Sequence, residues 1–395
     1  MPWRDPHARA GLFQHLIDTR LVPGPNVRKI TVIPMKDKKM RTESLEFLKK
    51  LLTTPSPSGY ESAGQKIWCE YARQFADEVR TDAYGNAIAI LNPDGDPRIM
   101  LDGHADELGL MIKHIDEKGF IWFQRIGGVD PALVRNKRVN IHSAHGVVRG
   151  VIGATAIHLR DRTKEPKAPK MHECFIDIGA KDGEDAKNAV AVGDPITFVD
   201  EFEMLNDHVG AARAFDNRVG TWSAIEALRM AAESKAKPRC CIMACSSVQE
   251  EVGGAGAWMN AENLKPNAAI AIDVTHATDS PGIEPKEHGE CKLGGGPTIT
   301  IGREHHPVLV RRIRDVAAKK NIDIQVEAFS LTGGTDAMTI YTKGGGIPST
   351  VVGIPNRYMH TTVELVDMRD LQNTAELLCS FCLDLEKGER FVVEV

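Results

Sequence analysis

The sequence predicts an α/β protein: a mixed sheet covered by helices, with a small all-β domain inserted into it. Three observations carry this expectation. Short, uninterrupted apolar runs recur along the chain, helical patterns of ten to twenty residues lie between them, and one internal stretch changes to alternating strands and tight turns.

The runs Ala87–Leu91, Arg98–Asp102, Arg239–Cys245, Ala268–Ile272 and Ser349–Gly353 lack the alternation of a half-exposed strand. Continuous apolar strands are those buried on both faces, as in a sheet with helices on either side. Helical patterning begins at Thr42 and returns at 59–76, 217–234, 306–320 and 367–387. Between about Leu108 and Asp207 the texture differs. Val139–His142, Gly146–Gly153 and Phe175–Gly179 are short alternating strands punctuated by Gly, Asp and Pro, and no helix is predicted there. The organisation expected is therefore a catalytic domain made of 42–107 and 208–395, with 108–207 inserted. Residues 1–41 carry five prolines and many basic residues without a sustained period, so they read as a disordered or peripheral extension. Met35 and Met40 are alternative starts.

Composition narrows the function. The 395 residues have an apolar fraction of 42% and a net charge of −5 with both signs mixed, which leaves no electrostatic footprint for nucleic acid. No stretch approaches the length of a membrane helix, and no signal peptide is legible, so no membrane partner is expected. Eight cysteines are scattered without a paired framework, and Cys240, Cys241 and Cys245 fall inside an apolar run. That pattern suits a reducing compartment and a cytoplasmic location.

Five short segments place metal-ligating side chains at the ends of elements. They are Asp102-Gly-His104-Ala-Asp106-Glu107, Ala214-Phe-Asp216-Asn-Arg218, Gln249-Glu250-Glu251-Val-Gly-Gly, Ile272-Asp273-Val-Thr and Tyr358-Met-His360-Thr. All but the Asp216 segment follow a predicted buried strand; that one opens a helix. Sites in open α/β sheets form in the crevice beyond the carboxyl ends of strands, where groups distant in sequence can meet. Taken singly, each segment is as well explained by a cap or a solvated turn. Together, the imidazoles and carboxylates suit Zn²⁺, Co²⁺ or Mn²⁺ without thiolates. Two such ions need a carboxylate between them, and they can activate a shared water. A separate carboxylate must then move the proton, and adjacent Glu250 and Glu251 can divide the two roles. Asp106 is placed to hold the second nitrogen of His104.

The ordered set His-x-Asp-Glu, Ala-Phe-Asp-x-Arg, Glu-Glu-Val-Gly, Asp-Val-Thr, Gly-Gly-Thr-Asp-Ala and Arg-Tyr-x-His resembles the M42 aminopeptidases. The resemblance runs from about Thr42 to Arg390 and implies the dinuclear zinc-peptidase type of fold. It implies that His104 and Asp273 bind one metal, Glu251 and His360 the other, and that Asp216 bridges them. Glu250 would be the general base and acid, with Asp106 orienting His104. The implied activity is removal of the first residue from peptide substrates, with two divalent ions, zinc or cobalt first and manganese after them. The implied partner is a second copy of the chain, dimers building a dodecamer. The lead-in Asp102-Gly departs from the less polar one common in the family, and it leaves the ligand set intact.

Other features are set aside. Gly294-Gly-Gly-Pro lacks the Lys-Ser or Lys-Thr of a phosphate loop. His305-His306-Pro307 reads as a helix start with proline in the first turn. Cys379 and Cys382 fall in an amphipathic helix and read as core. The loop Gly333–Asp336 is expected either beside the substrate or at a subunit contact. Two further functions stand as alternatives: a deacylase or glycosidase on the same fold, and a non-catalytic assembly paralogue. Sugar hydrolysis normally uses two carboxylates flanking the bond without a metal pair, and a paralogue that had lost catalysis would tend to lose Glu250.

Overall fold

The computed structural model describes residues 40–159, 168–331 and 333–395. The expected extension at 1–41 lies, but for Met40 and Arg41, outside the described residues. The chain opens with helices α1 (Thr42–Thr53) and α2 (Ser62–Ala72) and strands β1 (Glu78–Thr81), β2 (Ala87–Leu91) and β3 (Arg98–His104). Helix α1 buries Phe47, Leu48, Leu51 and Leu52, which recur at the spacing of one helical face.

The chain then leaves this sheet and closes a six-stranded barrel. Its strands are β4 (Gly109–Ile115), β5 (Ile121–Ile126), β6 (Arg138–Ser143), β7 (Gly146–Ile152), β8 (Phe175–Asp177) and β9 (Pro195–Phe198), joined in the order β4-β5-β8-β7-β6-β9. Leu110, Ile121, Val139, Ile141, Ile176 and Ile196 fill a core separate from that of the sheet. Among the described residues, two α-helices occur where the sequence predicted none, α3 (Pro131–Val134) and α4 (Gly183–Ala189). They have four and seven residues, too few for a periodic signal, and each starts on an aspartate cap, Asp130 or Asp182.

Strands β10 (Glu203–Met204) and β11 (Val209–Ala212) return to the main sheet. β10 falls within the span expected to be inserted, 108–207, yet it pairs with β11 rather than with the barrel. The remaining elements alternate until two consecutive strands near the end: α5 (Phe215–Glu233), β12 (Cys241–Ser247), α6 (Ala255–Leu264), β13 (Ala268–His276), α7 (Pro285–His288), β14 (Thr298–Gly302), α8 (Pro307–Lys320), β15 (Gln325–Phe329), α9 (Asp336–Ile340), β16 (Ser349–Arg357), β17 (Glu364–Asp367) and α10 (Met368–Asp384).

The eleven-stranded sheet runs β1-β2-β12-β3-β13-β16-β17-β11-β10, with β14 joining β16 to β15. Its centre, β12-β3-β13-β16, is parallel. On one face Ala87, Ala89, Ile99, Leu101 and Ile242 pack in a core shared with α1, α2, α5, α8 and α10. On the other, Ile88, Ile90, Met100 and Met243 meet Ala257 and Leu264 of α6 and Ile340 of α9. Both faces are therefore covered, which is why these strands carry no alternation.

All eight cysteines are buried and free, Cys379 and Cys382 among them in the core of α10. Among the described residues, no helix is long and apolar enough to cross a membrane. Helix α5 lies directly against β3: a Cβ on Gly103 would come 2.4 Å from the carbonyl carbon of Gly220. That close approach fixes the start of α5 beside the end of β3.

Candidate active site

The parallel strands end at one edge of the sheet, and the side chains expected to bind metal gather there. His104 is the last residue of β3, and Glu250 and Glu251 follow β12 closely. Asp273 differs from expectation. It sits within β13, which continues to His276, because Val274, Thr275 and His276 remain in register with Ile354, Pro355 and Asn356. Asp216 differs too, since the four-residue β11 stands a short way before it. Regular helical backbone in α5 begins only after Asp216 and Asn217.

Asp216 lies between the two histidines. Its Oδ1 is 3.2 Å from Nε2 of His104, and its Oδ2 is 3.3 Å from Nε2 of His360. Around the first imidazole, Nε2 is 3.7 Å from Asp273 Oδ1 and 3.7 Å from Glu250 Oε2. Around the second, Nε2 is 3.8 Å from Glu251 Oε2. Single ligand atoms of His104, Asp216 and Glu251 all lie within 4.8 Å of one another.

A layer of hydrogen bonds behind these groups holds them. Asp106 accepts the backbone N–H of Glu250 at 3.0 Å, that of Glu251 at 3.1 Å and the Ser58 hydroxyl at 2.6 Å. Its Oδ1 is also 3.4 Å from His104 Nδ1, which lies 3.2 Å from the Asp106 carbonyl oxygen. Asp106 therefore aims both glutamates as well as the histidine. Several residues of the site hold left-handed backbone: Ala214, Gln249, Tyr358 and His360 have φ of 62°, 61°, 64° and 61°. Each such conformation costs roughly 1–3 kcal/mol in a residue with a Cβ, so the surroundings must impose it.

Electrostatics mark the site as overloaded with acid. Burial pushes the carboxyls of Glu251 and Asp273 well above their ordinary range, and the charge of Asp216 pushes the same way. Burial also raises Glu250, to about 7, against the opposing pull of His104. Asp216 goes the other way: burial disfavours its charge, but hydrogen bonds with both histidines hold it below the usual carboxylate range. Burial disfavours the charged form of His104 as well, yet the carboxylates around it, Glu250 foremost, hold it well above the ordinary value. Glu251 Oε1 is buried without a hydrogen-bond partner. So many buried carboxyls against two imidazoles leave negative charge uncompensated, which fits a cluster built to hold cations. A set of imidazole and carboxylate donors without thiolates fits borderline divalent ions.

The cleft over this cluster is lined by His104, Asp216, Glu250, Asp273 and His360 together with Gly333, Gly334 and Thr335. The glycine loop thus borders the cleft. His305 also lines it, while His306 stands at the N-cap position of α8 ahead of Pro307 without a side-chain bond.

Three acidic groups of this region received no role from the sequence. Glu364, at the start of β17, accepts the N–H of Asp216 at 2.9 Å and that of His360 at 3.2 Å. Its signal was slight, one acidic residue in a short strand four positions after His360. Glu107 pairs with Arg213 and Arg218 and accepts the N–H of Ser56. Glu107 and Arg218 both stand in the segments singled out above. The buried Asp336 faces Asp102 beneath the site, and burial pushes both carboxyls up.

Residues 85–377 match the family model for M42 glutamyl aminopeptidase. The lysyl aminopeptidase of Pyrococcus furiosus is 34% identical over 337 residues, 84% of this chain and 94% of its own length. A solved TET aminopeptidase from the marine sediment archaeon Thaumarchaeota archaeon SCGC AB-539-E09 superposes with a TM-score of 0.83 at 32% identity, over 87% of this chain and 97% of that one. The TET1 peptidase of Pyrococcus horikoshii, which can assemble into a tetrahedron or a large octahedral shell, superposes with a TM-score of 0.77 at 31% identity, over 87% of this chain and all of that one.

Proposed function

Since the chain belongs to the M42 aminopeptidases, a family of metal-dependent peptidases, we propose that it removes the N-terminal residue of peptides at a centre of two divalent cations. His104 and Asp273 would hold one ion, Glu251 and His360 the other, and Asp216 would offer an oxygen to each. The observation that carries this reading is the carboxylate of Asp216, which gives one oxygen to each imidazole. The donor set favours zinc or cobalt, with manganese as a third option. Such ions would supply a water made more acidic and a polarised scissile carbonyl.

The remaining work falls to the protein. Glu250 borders the cleft and takes the proton of the attacking water, then delivers it to the leaving amine. Its placement suits the task, because its carboxylate stands 3.7 Å from His104 Nε2 and opens onto the cleft where substrate would lie. Asp106, fully buried, positions Glu250 and Glu251 through their backbone N–H groups.

We assign residues 42–107 and 208–395, together with β10 of the main sheet, to the catalytic domain and the rest of the inserted segment 108–207 to subunit assembly. Dimers building a dodecamer are the expected form, supported by the shells of the Pyrococcus horikoshii relative. Free, buried thiols support a reducing, cytoplasmic setting.

The test is hydrolysis of aminoacyl-p-nitroanilides by the purified chain loaded with Zn²⁺ or Co²⁺, beside a measurement of particle size. Release of p-nitroaniline from at least one aminoacyl substrate is expected. No turnover on any side chain with cations bound would sink the reading.

A further inference from the structure

The outer wall of the cleft is β15, an edge strand bonded, among the described residues, to β14 alone. Glu327, at the middle of β15, lines the same cleft as His104, Asp216, Glu250, Asp273 and His360. Both of its oxygens are fixed. Thr275 Oγ1 donates to Oε1 at 2.7 Å, and Thr298 Oγ1 donates to Oε2 at 2.8 Å.

The two threonines close over Gly353. A Cβ at that position would lie 2.3 Å from Thr298 Oγ1 and 3.1 Å from Thr275 Cγ2. Gly353 is in turn the register partner of Asp273 on the neighbouring strand. Asp273, Thr275, Gly353, Thr298 and Glu327 therefore share one face of the sheet. β15 stands three strand spacings, each ~4.8 Å, from β13, and the Glu327 side chain reaches back across them to Thr275, two residues beyond the proposed metal ligand Asp273.

Glu327 receives two neutral hydroxyls and makes no ion pair among the described residues. An ionised carboxylate has about four acceptor positions, so part of its capacity is left over. The described residues that line the cleft include no lysine or arginine. The imidazoles of His276 and His305 are held below their ordinary range by burial and bring no standing positive charge. Phe329, Val351 and Met359 supply apolar wall beside it.

We propose that Glu327 determines specificity by selecting a first residue with a cationic side chain, lysine or arginine. The methylene stem of that side chain lies along Phe329, Val351 and Met359, and its charged head meets the fixed carboxylate. An acidic first residue would face Glu327 across the same space and be rejected by like charge. The inference rests on the aminopeptidase reading above and adds to it the class of first residue.

The test compares p-nitroanilides of lysine, arginine, norleucine and glutamate on the full chain loaded with Co²⁺. Norleucine keeps the stem of lysine and lacks its charge. In the wild type, kcat/KM is expected to rank lysine and arginine above norleucine and glutamate last. Glu327→Gln keeps partners for both threonines, and it is expected to reduce the lysine-to-norleucine ratio by about 10–100-fold, chiefly through KM. An unchanged ratio overturns the proposal. So does an equal loss on both substrates, which would mark Glu327 as an anchor for the free α-amine or as a structural group. A wild-type preference for glutamate would also overturn it. Calorimetric binding of lysine amide against norleucine amide, wild type against Glu327→Gln, supplies a readout without turnover. If no anilide is hydrolysed, the aminopeptidase reading fails, and the binding difference still decides the role of Glu327: tighter lysine amide binding, lost in the variant, supports it, and equal binding sinks it.

Discussion

Glu364 accepts the backbone N–H of Asp216 at 2.9 Å, and its other oxygen accepts that of His360 at 3.2 Å. One buried carboxyl thus ties together the proposed bridging ligand and one of the two histidines it serves. Burial pushes Glu364 well above its usual range, and the charge of Asp216 adds to the shift. Its value to the site is geometric: it aims two ligands that come from different elements.

Glu364→Ala removes both anchors. Groups standing behind metal ligands typically change affinity by about 10–100-fold. Retained cation after dialysis against buffered chelator, read by atomic emission, is expected to fall by that amount. Retention equal to wild type would show that Glu364 has no part in holding the ligands.

Asp216→Ala removes the carboxylate shared by the two imidazoles. Bound cation is expected to drop at both positions together rather than at one. Two ions per subunit in the variant would rule out a bridge.

Glu250→Gln keeps the size of the side chain and removes its ability to take a proton. The expected loss in kcat is about 10²–10⁴-fold, with cation content close to wild type. Activity near wild type would refute Glu250 as the base.

Gly128 reaches the site from the loop after β5. A Cβ there would meet His360 Nδ1 at 2.7 Å and Cε1 at 3.0 Å. Gly128→Ala is expected to displace the imidazole and reduce kcat/KM by about 10²-fold, since a misplacement of an ångström costs that much. Unchanged kinetics would mean that the loop gives way freely.

Asp384 joins α10 to α8, accepting Lys319 at 2.5 Å and Arg312 at 2.9 Å. The bond from Lys319 and that from Arg312 hold its carboxyl below the usual range. A depressed folded value stabilises the protein above the unfolded value and loses that contribution as pH falls through the folded one. Asp384→Asn is expected to cost about 0.2–1 kcal/mol at pH 7, as exposed pairs do. Denaturation midpoints should converge with wild type as the medium is acidified below the ordinary carboxylate range. A gap that widens on acidification would contradict the sign.

Much of the fold was legible because local rules and tertiary demands agreed. Runs such as Ala87–Leu91 and Ala268–Ile272 lack alternation, and both faces of those strands are covered. Elements with little internal signal stayed hidden: α3 and α4 are too short for a period, and β11 is Val-Gly-Ala-Ala. The end of β13 was misplaced because polar Asp273 and Thr275 look like a loop, while pairing with β16 keeps them in the strand.

The sequence by itself determined which side chains could bind cations, since residue type fixes donor chemistry and His104, Asp216, Glu251, Asp273 and His360 stood out at element ends. Only the tertiary structure decided how they meet. The register of β3, β12, β13 and β16 brings their carboxyl ends to one edge, and the close approach of α5 to β3 sets Asp216 between His104 and His360. Glu327 and Glu364 show the same division. Each is an unremarkable acid along the chain, and each acquires meaning from neighbours tens to more than a hundred residues away, because a carboxylate is defined by what surrounds it.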